Sequence, residues 1–291
     1  MEQTNYTLGY HLVAFLDVQG QRDKFRQLKL PKTPEEHVYT QQVLTDTVGF
    51  VLQLRDKFRQ EFVACEAGVL NGRPQPPEPL QPRFVGFSDS FVVSVPLRPV
   101  GGEATPLVRI FSALSAASLA MMTALASRHA LRGGIDVGLA TEIGPDEIYG
   151  TALGTVYKLE SERAKYPRIV IGEMLWKYLA DKLAEFSNRP PNLAATSLCS
   201  LVRRIMDLTG TDSNGERFLD YLGKAMAQVA KPQDAQQVVK PAYEFVVVEH
   251  ERFLSSGDSK LAPRYALLRS YFESRLPLWG LEQGPAPPFQ L

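Results

Sequence analysis

The apolar positions from Tyr10 to Leu16 first alternate and then run without interruption, closing on Asp17, the pattern of a buried strand. Gly20 follows as a turn. Thr33 can cap a helix opened by Pro34 and Glu35-Glu36, and Val38, Val43, Leu44, Val48, Val51, Leu52 and Leu54 recur at helical spacing. One long helix to about Ala64 is predicted. From Gly68 to Pro82 proline and glycine dominate, which marks a surface loop. Arg83 to Phe87 and Phe91 to Val95 are apolar and β-branched around Ser88-Asp89-Ser90. That is a hairpin with Asp89 near its tip.

After a loop holding Gly101-Gly102, the alanine-rich stretch from Thr105 to Ala130 reads as a helix. Leu131 to Gly138 reads as a short strand, with Gly133 and Gly134 marking close backbone approach. Glu147 to Tyr149 is a further strand, Thr151 to Lys165 a helix and Arg168 to Ile171 a strand. This order implies an α+β fold with an antiparallel or mixed sheet and helices mainly on one face. Residues 8–182 are expected to form one domain. Residues 183–291 form an extension packing on it or on a second subunit. Within the extension, residues 186–212 are polar and proline-interrupted, Glu216 to Leu222 suggests a strand, Lys260 to Leu276 carries a helical stripe, and the tail from Gly284 reads as mobile.

Composition narrows the function classes. Lys and Arg total 32 and Asp and Glu total 32, so no global field exists to hold nucleic acid or an acidic membrane. Two cysteines, Cys65 and Cys199, are too few for a disulfide framework, and the four histidines are scattered, which speaks against a zinc site. No signal-peptide pattern and no uncharged run of membrane-spanning length is visible, and a cytoplasmic protein is expected.

The candidate chemistry lies in the two aspartates. Either one alone reads as a turn residue, since aspartate favours turns. Two carboxylates at one sheet end are costly unless a cation neutralises them, and oxygen donors select hard ions, Mg²⁺ or Mn²⁺. The Val18 carbonyl is a possible third ligand. Tyr149 to Glu160 runs from strand into helix and offers free N–H groups, but lacks the Gly-Lys-Ser/Thr of a phosphate loop. Lys158, Arg163, Lys165 and Arg168 follow, a cluster that by itself reads more simply as a solvated face than as an anion clamp.

Phe15-Leu16-Asp17-Val18-Gln19-Gly20, Phe87-Ser88-Asp89-Ser90, Leu131 to Gly138, and Ile148-Tyr149-Gly150 through Leu159-Glu160 stand in the order and spacing of class III nucleotide cyclases. The resemblance covers about residues 10 to 180. With Tyr166-Pro167-Arg168-Ile169, it is most similar to the bacterial Pycsar pyrimidine cyclases. It implies a ferredoxin-like core and a head-to-tail homodimer with active sites at the interface. It also implies two divalent metal ions, Mn²⁺ or Mg²⁺, on Asp17 and Asp89 with help from the Val18 carbonyl. Phe15 matches a nucleotide-contacting position, Glu147 a base-selecting acidic position and Arg83 that of its basic partner. The reaction implied is attack of the ribose 3′-hydroxyl on the α-phosphorus of a nucleoside triphosphate.

The chain also departs from the purine enzymes. Where they carry a transition-state asparagine and arginine it has Gly154 and Lys158, and Leu139 replaces an arginine after the strand glycine. Lys158 offers charge without a bidentate fork. Tyr157 adds bulk suited to a smaller base. These departures argue against a purine cyclase and favour a pyrimidine base or a dead enzyme; cyclic UMP from UTP is the expected product, with CTP as the rival substrate, and the resemblance implies that the product is a second messenger in anti-phage defence. A catalytically silent module that binds nucleotide or a protein partner is the alternative. A phosphodiesterase lacks its His/Asp cluster.

Overall fold

The computed structural model describes residues 7–70, 82–98, 102–143, 147–230 and 233–282. Most of the predicted proline-rich loop, Gly101 of the second loop and the tail from Gly284 lie outside the described residues. The elements in chain order begin with β1 (Gly9–Val18), α1 (Gln21–Arg26), α2 (Pro34–Leu44), α3 (Phe50–Leu70), β2 (Arg83–Phe87), β3 (Ser90–Pro96), α4 (Ala104–Ala126), β4 (Leu131–Ile143), β5 (Glu147–Gly150) and α5 (Thr151–Lys158). There follow β6 (Ile169–Ile171), α6 (Glu173–Ser187), α7 (Leu193–Met206), β7 (Thr209–Thr211), β8 (Arg217–Leu219), α8 (Lys224–Val229), α9 (Lys240–Ser255) and α10 (Leu261–Arg275).

The first half builds a ferredoxin-like unit. Strands run in the order β2-β3-β1-β4, and β1 is antiparallel to both β3 and β4. That is the β-α-β-β-α-β arrangement, with the α2–α3 segment and α4 as its crossovers. The sheet then extends through β6, β8 and β7, with β6 parallel to β4 and β5 folded back on the far end of β4. The fold is α+β with a mixed sheet.

Alternation along β1 divides the sheet into two faces. Leu12, Ala14, Leu16 and Val18 enter the main core, while Val13 and Phe15 join a small cluster with Val92, Ala140, Ala152 and Val156. α3, α4, α7 and α9 supply the main core layer. Contrary to the sequence expectation, α4 is apolar enough and long enough to cross a membrane, its run from Ile110 to Ser127 carrying no charge, yet 83% of the window is buried inside the chain. Its one charge, Arg109, is buried against Glu66 at 3.4 Å.

Several boundaries differ from the sequence expectation. Thr33 does form a capping box with Glu36, but the helical run continues through a π-turn at Thr45–Gly49 to Leu70 instead of ending near Ala64. β4 runs on to Ile143, because its end is paired by β5. The helix after β5 becomes a π-turn over Leu159–Arg163. Residues 186–212, expected to be irregular, contain α7: the prolines fall before its Asn192 cap, and Leu198, Leu201, Val202 and Ile205 face the core. α6 and α9 were not foreseen. Residues beyond 182 supply β7, β8 and buried faces of α7, α9 and α10 to the same sheet and core.

Candidate active site

The open face of the sheet carries His11, Val13, Phe15 and Asp17 from β1, with Asp17 at the strand's end beside Ser90 of β3 and Arg132 of β4. β2 and β3 are joined by a two-residue turn, Ser88-Asp89, in which Ser88 takes a left-handed conformation at φ 52°. The Val18 N–H donates to the Asp89 carbonyl at 3.1 Å, fastening the hairpin tip to the end of β1. The Asp17 carboxylate accepts from the Ser90 hydroxyl at 2.9 Å and from the Gln19 side-chain amide. Burial pushes its pKa up, the Ser90 hydrogen bond pulls it down, and the Asp89 charge pushes it up again, for a net rise. Asp89 is therefore close enough to be felt.

Two further groups complete the cluster. Arg132 Nη2 lies 2.5 Å from Glu160 Oε1 and 3.7 Å from Asp17 Oδ2. The Glu160 side chain is only 5% exposed and is delivered by the π-turn that follows α5. Burial raises its pKa, Arg132 lowers it, and Asp17 raises it, leaving it elevated. Arg132 Nε and Glu160 Oε1 find no hydrogen-bond partner, so the contact is ionic and poorly aligned. The backbone approach that permits this depends on Gly134: a Cβ there would lie 2.6 Å from both Leu159 Cβ and the Val156 carbonyl.

Beside Asp17 opens a cleft of about 810 Å³ with a largely apolar wall, lined by Phe15, Phe87, Ser90, Tyr149, Gly154 and Tyr157 among others. The Phe15 and Tyr157 rings meet edge to face at 5.6 Å. Phe87, Tyr149 and Tyr157 stand at the rim, more than half exposed at 51%, 72% and 55%. Such a slot accepts a flat ring, and Ser90 in its wall joins it to the Asp17 carboxylate, which can accept a cation.

The structure thus gathers Phe15, Asp17, Val18, Asp89 and Tyr157 into one region. Lys158 is exposed in the last turn of α5 and does not line the cleft, whereas Gly154 does. Arg83 and Glu147 are not brought together as a pair: Arg83 Nε binds Glu142 at 2.9 Å, while exposed Glu147 lines a smaller recess of about 440 Å³ with Val85 and Phe87. The extra length of β4 puts Glu142 where Glu147 was expected. Arg132 and Glu160 lay inside the quoted motifs, but nothing in a linear string shows that β1–β4 pairing sets Asp17 opposite Arg132.

Among the described residues no group of three His, Cys, Asp or Glu side chains is arranged to hold a metal. A divalent ion at Asp17 would therefore rest on two carboxylates and the Val18 carbonyl, with substrate oxygens completing the shell, as small hard cations accept. The donor set fits that use. Arg132 also modifies the premise taken from sequence, since it supplies Asp17 with a protein cation.

No protein-family model and no curated protein sequence matches the chain. Among solved structures, the adenylyl cyclase CyaB from P. aeruginosa aligns at TM-score 0.44 and 14% identity over 61% of this chain and 84% of its own. The monomeric guanylyl cyclase domain of the RhoGC fusion protein from the aquatic fungus Blastocladiella emersonii gives 0.42 and 13%, over 74% and 98%. A class III adenylyl cyclase-like ATP-binding protein from Pseudomonas aeruginosa gives 0.37 and 13%, over 70% and 45%. All three TM-scores lie below 0.5.

Proposed function

We propose that this chain is a metal-dependent pyrimidine nucleotide cyclase that converts UTP to cyclic UMP and pyrophosphate. The observation that carries this reading is the meeting of Asp17 and the Asp89 hairpin tip, which the Val18 N–H to Asp89 carbonyl bond fastens to β1, next to an aromatic cleft lined by Ser90, the hydrogen-bond partner of Asp17. Asp17, Asp89 and the Val18 carbonyl would hold two Mn²⁺ or Mg²⁺ ions. When bound, such ions lower the pKa of a ribose hydroxyl and carry triphosphate charge. The ribose 3′-hydroxyl gives up its proton to solvent as O3′ forms a bond to the α-phosphorus, the bond from that phosphorus to the bridging oxygen breaks, and pyrophosphate departs with the electron pair.

The chain's own residues do the positioning. Phe15 and Tyr157, in edge-to-face contact with each other, form one wall on which a single-ring base stacks. Arg132 and Ser90 fix the orientation of Asp17. Glu147, at the base-selecting position of the resemblance, would act from the adjoining recess that shares Phe87 and Tyr149 with the cleft, and Arg83 anchors the β4 end through Glu142. The exposed aromatic rim and the outward-facing Lys158 favour a homodimer in which the second copy covers the cleft and Lys158 acts across the interface. The motif resemblance supports a product that acts as a messenger in anti-phage defence, with CTP as the rival substrate.

A silent nucleotide-binding module is the second reading, favoured by Arg132, which already neutralises Asp17 without metal. One assay separates the two. The purified protein is incubated with each of the four ribonucleoside triphosphates and Mn²⁺, and cyclic products are identified by mass. Cyclic UMP from the native chain and none from Asp17→Ala or Asp89→Ala is the expected result. No cyclic product from any triphosphate selects the silent module, and product from both variants rejects the assignment.

A further inference from the structure

A second cavity of about 830 Å³ lies behind the β1–α1 turn, between the ferredoxin-like unit and the last two helices. Gln19 and Arg132 line it from the Asp17 side, so it backs onto the site described above. Its opposite wall comes from α9 and α10. No part of the quoted motifs accounts for that wall.

The charge of this cavity is unbalanced. Five cations line it, Lys24, Arg128, Arg132, Arg252 and Arg264, against two acids, Asp46 and Glu249. Glu249 is taken by Arg252 at 2.5 Å, and Arg132 is engaged by Glu160. Among the described residues, Lys24, Arg128 and Arg264 form no ion pair. Asp46 alone stands against these three cations, so the hollow keeps a net positive charge that a bound anion would offset.

Aromatic surface accompanies the charge. Phe50, Tyr166, Phe253 and Tyr265 line the same hollow, and Phe50 stacks on His129 at 3.9 Å. His129 is held neutral, its pKa lowered to about 4 chiefly by burial, so it adds ring surface and not charge. Phe50 and Tyr265 are buried in the wall and Tyr166 and Phe253 half-buried, and cations beside such an aromatic wall suit a ligand that is anionic at one end and flat at the other. The volume is ample for a molecule of nucleotide size.

We infer that this cavity is a binding site for a phosphate-bearing aromatic small molecule, a nucleoside monophosphate in chemical class, separate from the candidate active site. Lys24 and Arg264 engage the phosphate and the ring lies among Phe50, Phe253 and Tyr265. The site needs no divalent metal. Its occupancy is therefore distinguishable from turnover, and the inference stands whether or not the chain is a cyclase.

Isothermal titration calorimetry of the whole chain in EDTA, with 5′-AMP and 5′-UMP as probes, tests it. At least one monophosphate is expected to bind. The double variant Lys24→Gln/Arg264→Gln weakens that binding by about tenfold or more, the loss typical of charged hydrogen bonds. Asp89→Asn leaves it within about twofold, a change too small to mark a lost charged contact. Both substituted cations sit on accessible surface, so a thermal melt unchanged from the native chain accompanies the result. Failure of both probes to bind overturns the inference, as does binding that survives the double variant or is lost with Asp89→Asn.

Discussion

Replacing Arg132 by methionine should destabilise the chain by about 3 kcal/mol, and the loss should be largely returned by a second change at Glu160. At an effective dielectric of 20, a 2.5 Å contact between Arg132 and Glu160 is worth about 7 kcal/mol of gross attraction and the 3.7 Å contact to Asp17 about 4 kcal/mol. Desolvating the ions offsets most of this. Removing one partner is a different matter, because Glu160, at 5% exposure, would be left as an uncompensated carboxylate, a defect that costs roughly 3 to 5 kcal/mol. The lower end applies here, since Arg132 remains 19% exposed. Arg132→Met/Glu160→Gln removes the orphan charge and should sit at least about 2 kcal/mol above the sum of the single losses. Urea unfolding followed by fluorescence of Trp176 and Trp279 gives all four corners of the cycle. A coupling below about 0.5 kcal/mol, within the range seen for independent sites, would refute the ion-pair reasoning.

Two further outcomes follow from geometry and burial. Gly134→Ala should cost about 1 to 3 kcal/mol in the same unfolding assay, because its methyl group meets Leu159 Cβ and the Val156 carbonyl at 2.6 Å, whereas Gly154→Ala, with open space, should be neutral or stabilising by under about 1 kcal/mol; equal effects would contradict the packing of α5 on β4. His11 is buried with its pKa lowered from 6.5 to about 4, first by desolvation and then by Arg98 and Arg83. The unfolded chain therefore takes up the proton first, and stability present above pH 6.5 is lost as pH falls toward 4. Between pH 7 and pH 5 this histidine should account for about 2 kcal/mol, and His11→Asn should flatten the urea-midpoint slope by that amount while the part due to His129 remains. An unchanged slope would show that the imidazole is solvated in the folded state.

The hydrophobic pattern carried the topology further than the site. Tyr10 to Asp17, the Asp89 hairpin and the Thr33 capping box are local signals, each set by residues within a few positions, and the structure returns them. α7 was hidden because Pro190 and Pro191 and the polar residues around them masked a buried stripe that begins only after Asn192. The site divides in the same way. Phe15, Asp17 and Asp89 lie at strand ends where sequence speaks, whereas Arg132 and Glu160 meet Asp17 through strand register and a π-turn, both long-range consequences of packing. Glu147 opens β5 as its sequence suggests, but Arg83 meets Glu142 instead, because the true length of β4 depends on its pairing with β5, which no local pattern reveals.

Anomalous scattering from crystals grown with Mn²⁺ and a non-reacting UTP analogue tests the metal assignment most directly. Manganese peaks about 2.2 Å from the carboxylate oxygens of Asp17 and Asp89 and from the Val18 carbonyl, with the uracil ring against the wall that Phe15 and Tyr157 form, are the expected result. Saturating Mn²⁺ that leaves Asp17 bound only to Arg132, Ser90 and Gln19, with no anomalous peak at its carboxylate, would contradict it.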